Sequence, residues 1–183
     1  MSAMTKSIAS DDAQSTPAPL SGVHYRSERP EDDAAIEAIH EETFGPGRFA
    51  RTAFRLREGT PQDMRLSLVA LHGDAIVGSV RLTPIRIGDA PALLLGPLAV
   101  RPHLKSRGVG KALMRRAMEE ARLAGHRLVL LVGDLPYYWP FGFRVVRPGT
   151  VEMPGPVDPG RLLIAELVPG AADEARGPAR AGH

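Results

Sequence analysis

The sequence predicts one α/β (α+β) domain, and three observations carry that prediction. An apolar stretch over 92–100 is followed by a basic, glycine-containing loop, an amphipathic stretch and a second apolar run over 128–132, the order of strand, loop, helix and strand. Upstream, strand-like runs over 66–71 and 75–87 flank His72-Gly73-Asp74, a hairpin signal. At 183 residues, with 43% hydrophobic and 24% charged content, the chain has enough apolar material for one sizeable core and too little length for two large ones.

Taken in order, residues 1–20 are small and polar with Pro17 and Pro19 at their end, and are expected to be a disordered tail. A short strand follows over 23–26. Pro30 suits the first turn of a helix, and Glu31, Asp32 and Asp33 complement its dipole. Ala35, Ile36, Ile39, His40 and Phe44 recur at helical spacing until Gly45-Pro46-Gly47 stops the run. A shorter helix is expected over 49–57. In the strand over 92–100, Gly96-Pro97 interrupts an otherwise apolar run. Proline cannot donate to a sheet ladder, so a bulge or a local loss of pairing is expected there.

Val109, Leu113, Ala117, Ala121 and Ala124 then repeat every three or four residues, and Gly125 suits a helix end. The run over 128–132 reads as a central strand buried on both faces. Residues 147–160 are rich in proline and glycine and read as a long loop. A last strand is expected over 162–168, and 171–183 as a flexible C-terminal tail, leaving 21–170 as the folded domain.

The chemistry concentrates at Lys105-Ser106-Arg107-Gly108-Val109-Gly110-Lys111, just before the amphipathic helix. The first N–H groups of a helix lack internal acceptors, and its dipole adds partial positive charge. Gly108 and Gly110 lack a Cβ and let the backbone approach a phosphate closely. Arg101, Lys105, Arg107, Lys111, Arg115, Arg116, Arg122 and Arg127 stand against only Glu119 and Glu120 between 101 and 127, although the whole chain carries a formal charge of only +2. A polyphosphate ligand fits that local excess; the small net charge argues against nucleic acid as a partner. A dinucleotide fingerprint fails because its third glycine position is Leu113. A Walker loop fails at Lys105, where it needs glycine, and at Ala112, where it needs Ser or Thr.

At these residues the chain resembles the GCN5-related N-acetyltransferase (GNAT) superfamily. Gly108 and Gly110 fill the glycine positions of its Gln/Arg-x-x-Gly-x-Gly/Ala signature, with Lys105 departing at the first position. Tyr137-Tyr138-Trp139-Pro140-Phe141-Gly142-Phe143 is similar to the family's Tyr-x-x-x-Gly-Phe element, with Tyr138 at the tyrosine position. The phrases LGPLAV, VGDLPYYWPFGF and AELVPGA resemble a bacterial YhbS-like subgroup of acetyltransferases. The resemblance spans roughly 23–171. It implies a mixed, mostly antiparallel sheet of six or seven strands with helices on both faces, and a fourth strand that splays from the fifth.

The resemblance also implies acetyl-CoA as donor and an amine, on a small molecule or a protein, as acceptor. Lys105, Ser106, Arg107, Gly108, Val109, Gly110 and Lys111 would grip the pyrophosphate, and Leu98, Ala99 and Val100 would pair with pantetheine. Tyr138 would protonate the departing thiolate, since a phenol of ordinary pKa about 10 stays protonated at neutral pH. A backbone N–H near those strand residues would hold the carbonyl oxygen. Dimers are frequent in the superfamily, so a homodimer is among the expected assemblies. The base stays open among His40, Glu41, Glu42, Asp134 and ordered water, and His103 is expected near the phosphates. Two other readings suit the same residues: a non-catalytic acyl-CoA sensor or regulatory module, and a transferase using longer acyl donors.

Other classes lack their residues. With no cysteine there is no disulfide, thiol nucleophile or thiolate-bound zinc. There is no G-x-S-x-G nucleophile elbow, and the six histidines are scattered, so no metal is expected. No apolar run reaches the roughly 18 residues of a membrane span, and the N-terminus lacks a signal-peptide core. A cytoplasmic location is the expectation.

Overall fold

The computed structural model describes residues 16–182. Its frame is one sheet. Strand β1 (Val23–Ser27) pairs antiparallel with β2 (Leu68–His72), which turns through Gly73 and Asp74 into the long β3 (Ala75–Ile87). Gly73 sits at φ 61°, a left-handed conformation that the two-residue turn demands. Strand β4 (Ala90–Val100) runs antiparallel along β3. It is followed by β5 (Leu128–Val132), parallel to β4, while β8 (Leu162–Glu166) lies antiparallel to β5 and β6 (Arg144–Val145) to β8. The order β1-β2-β3-β4-β5-β8-β6 is thus mixed and mostly antiparallel. Two further strands, β7 (Val151–Glu152) and β9 (Gly177–Ala181), bring the sheet to nine.

Both faces of the sheet are covered. Helix α3 (Val109–Leu123) buries Val109, Leu113, Met114, Ala117 and Ala121 against Leu82, Leu93, Leu95, Val129 and Leu131. Its end is a Schellman motif: the N–H groups of Gly125 and His126 donate to the carbonyls of Arg122 and Ala121, with Gly125 at φ 85°. Because side chains alternate along a strand, Leu128 and Leu130 face the other way. There they pack with Ile85, Ile87, Leu94 and Ile164. Helix α1 (Asp33–Phe44) covers part of that second face with the fully buried Ile36 and Ile39. A single turn, α2 (Thr52–Arg55), adds Leu56 to it. The helix expected over 49–57 is therefore only this short turn, flanked by a 3₁₀ segment (Pro46–Ala50).

Both chain ends depart from expectation. Residues 1–15 lie outside the described residues, but 16–20 are not a free tail: Leu20 N donates to the Arg107 carbonyl at 3.0 Å, and Arg107 Nε donates to the Ala18 carbonyl at 3.1 Å. At the other end, the segment expected as a flexible tail over 171–183 forms the turn α5 (Ala171–Glu174) and strand β9. Strand β2 leaves β3 at Val80, and β9 takes up the same edge at Ile85, Arg86 and Ile87. Ala171, Ala175 and Ala179 are buried in the second core, so the cause is apolar contact with small side chains.

Candidate active site

The site follows from a break in the sheet. β4 and β5 pair only at Leu93–Val129 and Leu94–Leu130. Beyond them β4 continues to Val100 without β5 alongside. The cause is local: between the pairs Val80–Leu98 and Leu82–Leu95, Gly96 and Pro97 face the single residue Arg81, which makes a bulge. Gly96 takes φ 121°, which a side chain would strain. The gap opens into a cavity of about 1500 Å³.

On one side the cavity is lined by Leu98, Ala99 and Val100 and by Lys105, Ser106, Arg107, Gly108, Val109, Gly110 and Lys111. The first bond of α3 runs from Ala112 N to the Gly108 carbonyl, so the N–H groups of Val109, Gly110 and Lys111 have no intrahelical acceptor. Gly108 stands at φ 85° in open space, so backbone conformation, and not crowding, requires glycine there. Gly110 differs: a Cβ on it would lie 2.8 Å from the Tyr137 hydroxyl. Tyr137 and Tyr138 belong to the turn α4 (Leu135–Tyr138) that follows β5, and both line the cavity. Tyr138 packs edge-on to Phe143, with ring centroids 5.9 Å apart. Burial pushes its phenol up to about 12, with Tyr137 and Asp134 adding to the shift.

The opposite wall comes from α1, α2, the proline-rich loop and the exposed-looking face of β3. Ser79, Arg81 and Thr83 alternate along β3 on the face that α1 covers, and all three are buried. Arg81 donates through Nε and Nη2 to the two Glu28 oxygens at 3.1 and 2.7 Å, through Nη2 also to Asp33 at 2.8 Å, and through Nη1 to Glu37 at 3.2 Å. Burial alone would lower its pKa, but the hydrogen bonds to Glu28 and Asp33 outweigh that and hold it above the usual value. His40 is buried between Glu37, 3.3 Å from its Nδ1, and Ser79 Oγ, 3.5 Å from its Nε2. The carboxylate accepts, which places the ring proton on Nδ1. Burial pulls the His40 pKa down to about 4 despite Glu37, so the imidazole is neutral at pH 7.

Residues 33–143 match the model of the acetyltransferase (GNAT) family. The chain belongs to that family. It is 32% identical over 116 residues to the uncharacterized N-acetyltransferase YjhQ of Escherichia coli K12, covering 61% of this chain and 64% of that relative. A GNAT family acetyltransferase from Brucella melitensis, solved with acetyl-CoA, is 31% identical and covers 77% of this chain and 94% of its own, at a TM-score of 0.58. The E. coli GNAT protein YhbS, solved with CoA, shares the fold at a TM-score of 0.75 with 22% identity, over 90% of this chain and 92% of its own.

In this GNAT chain every residue expected to bind the donor, together with Tyr138, lines the one cavity described above. The base candidates divide. Glu41 and Glu42 are exposed, and Glu42 is engaged by Arg101 at 2.6 Å. Asp134 borders the cavity, with Arg161 Nε 3.0 Å from its carboxylate. His103 is exposed and is not among the residues lining the cavity. The residues that sequence reasoning missed are Arg57, Thr60, Arg81 and Glu37. Of these only Arg81 leaves a trace in the sequence, the alternation Ser79, Arg81, Thr83, and by itself that describes a solvent-facing strand. Among the described residues no group of His, Asp and Glu is placed to hold a metal, and no helix is long and apolar enough to cross a membrane.

Proposed function

We propose that the chain transfers an acetyl group from acetyl-CoA to an amine. The observation that carries the reading is the parting of β4 and β5 after Leu94 beside the unsatisfied N–H groups of α3, within one cavity. The start of α3 offers three free donors, partial positive charge and the exposed Lys105 and Lys111 to a pyrophosphate. The edge of β4 from Leu98 to Val100 offers backbone groups to the amides of the pantetheine arm, as an added strand would meet them. The β4–β5 gap admits the thioester. YhbS and the Brucella relative, solved with CoA and acetyl-CoA, support a donor of this kind.

The amine nitrogen attacks the thioester carbonyl carbon, the C–S bond breaks, and the sulfur leaves with the bonding pair. Tyr138 gives its phenolic proton to that sulfur. Its raised pKa keeps it protonated throughout the neutral range. The nitrogen loses its extra proton to water in the open cavity, and solvent restores the phenol. His40 is a weak base in this setting, because burial stabilises its neutral form and Ser79 already occupies its free nitrogen.

Calorimetric titration with acetyl-CoA and with a longer acyl-CoA, followed by thiol release over a panel of amines, tests the proposal. Binding of acetyl-CoA with amine-dependent release of thiol supports it. Turnover confined to the longer donor replaces acetyl with a larger acyl group. Binding without release from any amine favours a sensor, and absence of binding overturns the donor site.

A further inference from the structure

We infer that the acceptor carries an oxyanion of its own, a carboxylate or a phosphate, which seats on Arg57 in the half of the cavity opposite the glycine loop. The inference rests on the transferase reading for the identity of the reacting amine; the anion site itself rests on Arg57 and its surroundings.

Arg57 lies on the cavity wall just after α2. Its Nε is enclosed and has no hydrogen-bond partner among the described residues. Glu37, a carboxylate that lines the same cavity, is already engaged by Arg81 at 3.2 Å and by the His40 ring at 3.3 Å. A guanidinium removed from water without a counter-charge is costly unless a ligand supplies one. Burial and the neighbouring Arg81 charge lower its pKa to about 10, which still leaves it cationic at neutral pH.

A second polar atom shares this condition. Thr60 Oγ1 is buried and has no partner among the described residues, and Thr60 lines the same cavity. Thr60 is tied to Arg57 by a turn in which its N–H donates to the Arg57 carbonyl at 3.1 Å. The wall thus presents a guanidinium with no counter-charge beside a hydroxyl with no acceptor among the described residues, and a carboxylate or phosphate on the guanidinium supplies the missing charge. The position is also apt. A Cβ on Gly96 would lie 3.1 Å from Arg57 Nη2, so the guanidinium reaches the bulge where the β4–β5 gap begins. An anion held there keeps the rest of a short acceptor beside the opening through which the thioester enters. A purely cationic amine would meet Arg57, unpaired among the described residues, whereas Arg81 is already compensated by Glu28, Asp33 and Glu37.

The test follows the Arg57 Nε–Hε resonance in 15N-arginine-labelled protein, assigned by its loss in Arg57→Lys and, should that variant fold poorly, in Arg57→Gln. Acetate, inorganic phosphate and, as neutral control, acetamide are titrated with CoA present, so that the pyrophosphate loop is filled. A saturable perturbation of Arg57 by acetate or phosphate and none by acetamide is expected, and the stronger of the two anions names the group. No saturable perturbation through the millimolar range, or an equal response to acetamide, overturns the inference. If CoA itself does not bind, the transferase reading falls, while the same titration of free protein still decides the anion site. In turnover, a carboxylate- or phosphate-bearing amine is expected to exceed its neutral counterpart in kcat/KM. Arg57→Gln should erase that preference and leave acetyl-CoA affinity unchanged. A neutral amine that equals its charged counterpart in the unmodified protein counts against the proposal.

Discussion

The Tyr138 ring occupies the space that a side chain at Gly133 would fill. A Cβ built on Gly133 would overlap Cε2 of the phenol and lie 3.0 Å from its Cδ2. The residue just after β5 must therefore be glycine if the phenol is to lie against the end of that strand, next to the gap. Gly133→Ala is expected to displace the ring and lower kcat by about 10²-fold, the penalty of misplacing a reacting group by roughly an ångström. Tyr138→Phe should lower it by about 10²–10⁴-fold with acetyl-CoA affinity unchanged. Steady-state rates for both variants, beside calorimetry, check this. A Gly133→Ala enzyme of normal rate would detach Tyr138 from the chemistry.

Glu28 and Arg81 form a buried pair behind the cavity wall, with Gln62 Nε2 donating to Glu28 at 2.8 Å. Removing one partner of a buried pair leaves the other charge poorly compensated. Glu28→Ala is expected to cost about 3 kcal/mol, at the low end for such pairs because Asp33 and Glu37 still face Arg81. Denaturant unfolding measures the loss. Arg81→Met with Glu28→Leu should recover part of it, since matched apolar replacement removes both charges together.

The parts of the chain that could be read in advance share one property: their signal is local. The stripe from Val109 to Ala121, the apolar run of β5 and the glycines of the loop each declare themselves within a few residues. The alternation of Ser79, Arg81 and Thr83 along β3 is just as local, yet on its own it describes a solvent-facing strand and not the buried setting of Arg81. Its burial depends on α1, some forty residues upstream, laying Asp33 and Glu37 across that face. Arg57 carries no sequence mark at all, because its isolation is a property of the fold around it. The C-terminal strand escaped notice since alanines among glycine, proline and arginine make a weak apolar pattern, whose value appears only against Ile85 and Ile87.

That C-terminal strand should matter for stability. Gly88 N donates to the Pro178 carbonyl at 3.0 Å and Gly177 N to the Thr150 carbonyl at 2.9 Å, so β9 holds both the β3–β4 turn and the proline-rich loop. Truncation after Glu174 would uncover one edge of β3 along with Ile85 and Ile87. A loss of about 2–4 kcal/mol is expected, from apolar area returned to water. Unfolding midpoints of the truncated and full chains compare the two. Equal midpoints would mean that the segment adds nothing to the sheet.

His40 sets a pH dependence of its own. Its folded pKa of about 4 lies below the ordinary histidine value of 6.5, because burial beside Arg81 and Arg57 disfavours the imidazolium more than Glu37 favours it. Between those two values the unfolded chain binds the proton more readily than the folded one, so unfolding takes up protons and stability falls as pH is lowered. The contribution is fully present above pH 6.5 and is lost progressively toward pH 4, amounting to about 3 kcal/mol across the window. The carboxylates whose pKa values are lowered, Asp32, Asp63 and Glu166 among them, begin to lose their contribution only below about pH 5, as the unfolded chain takes up protons near the ordinary carboxylate range, and leave the window above that to His40. Denaturant midpoints between pH 7 and pH 5 are therefore expected to decline in the unmodified protein and to stay nearly level in His40→Gln, whose amide can still face Glu37 and Ser79 without titrating. The same decline in both proteins would place the titrating group elsewhere.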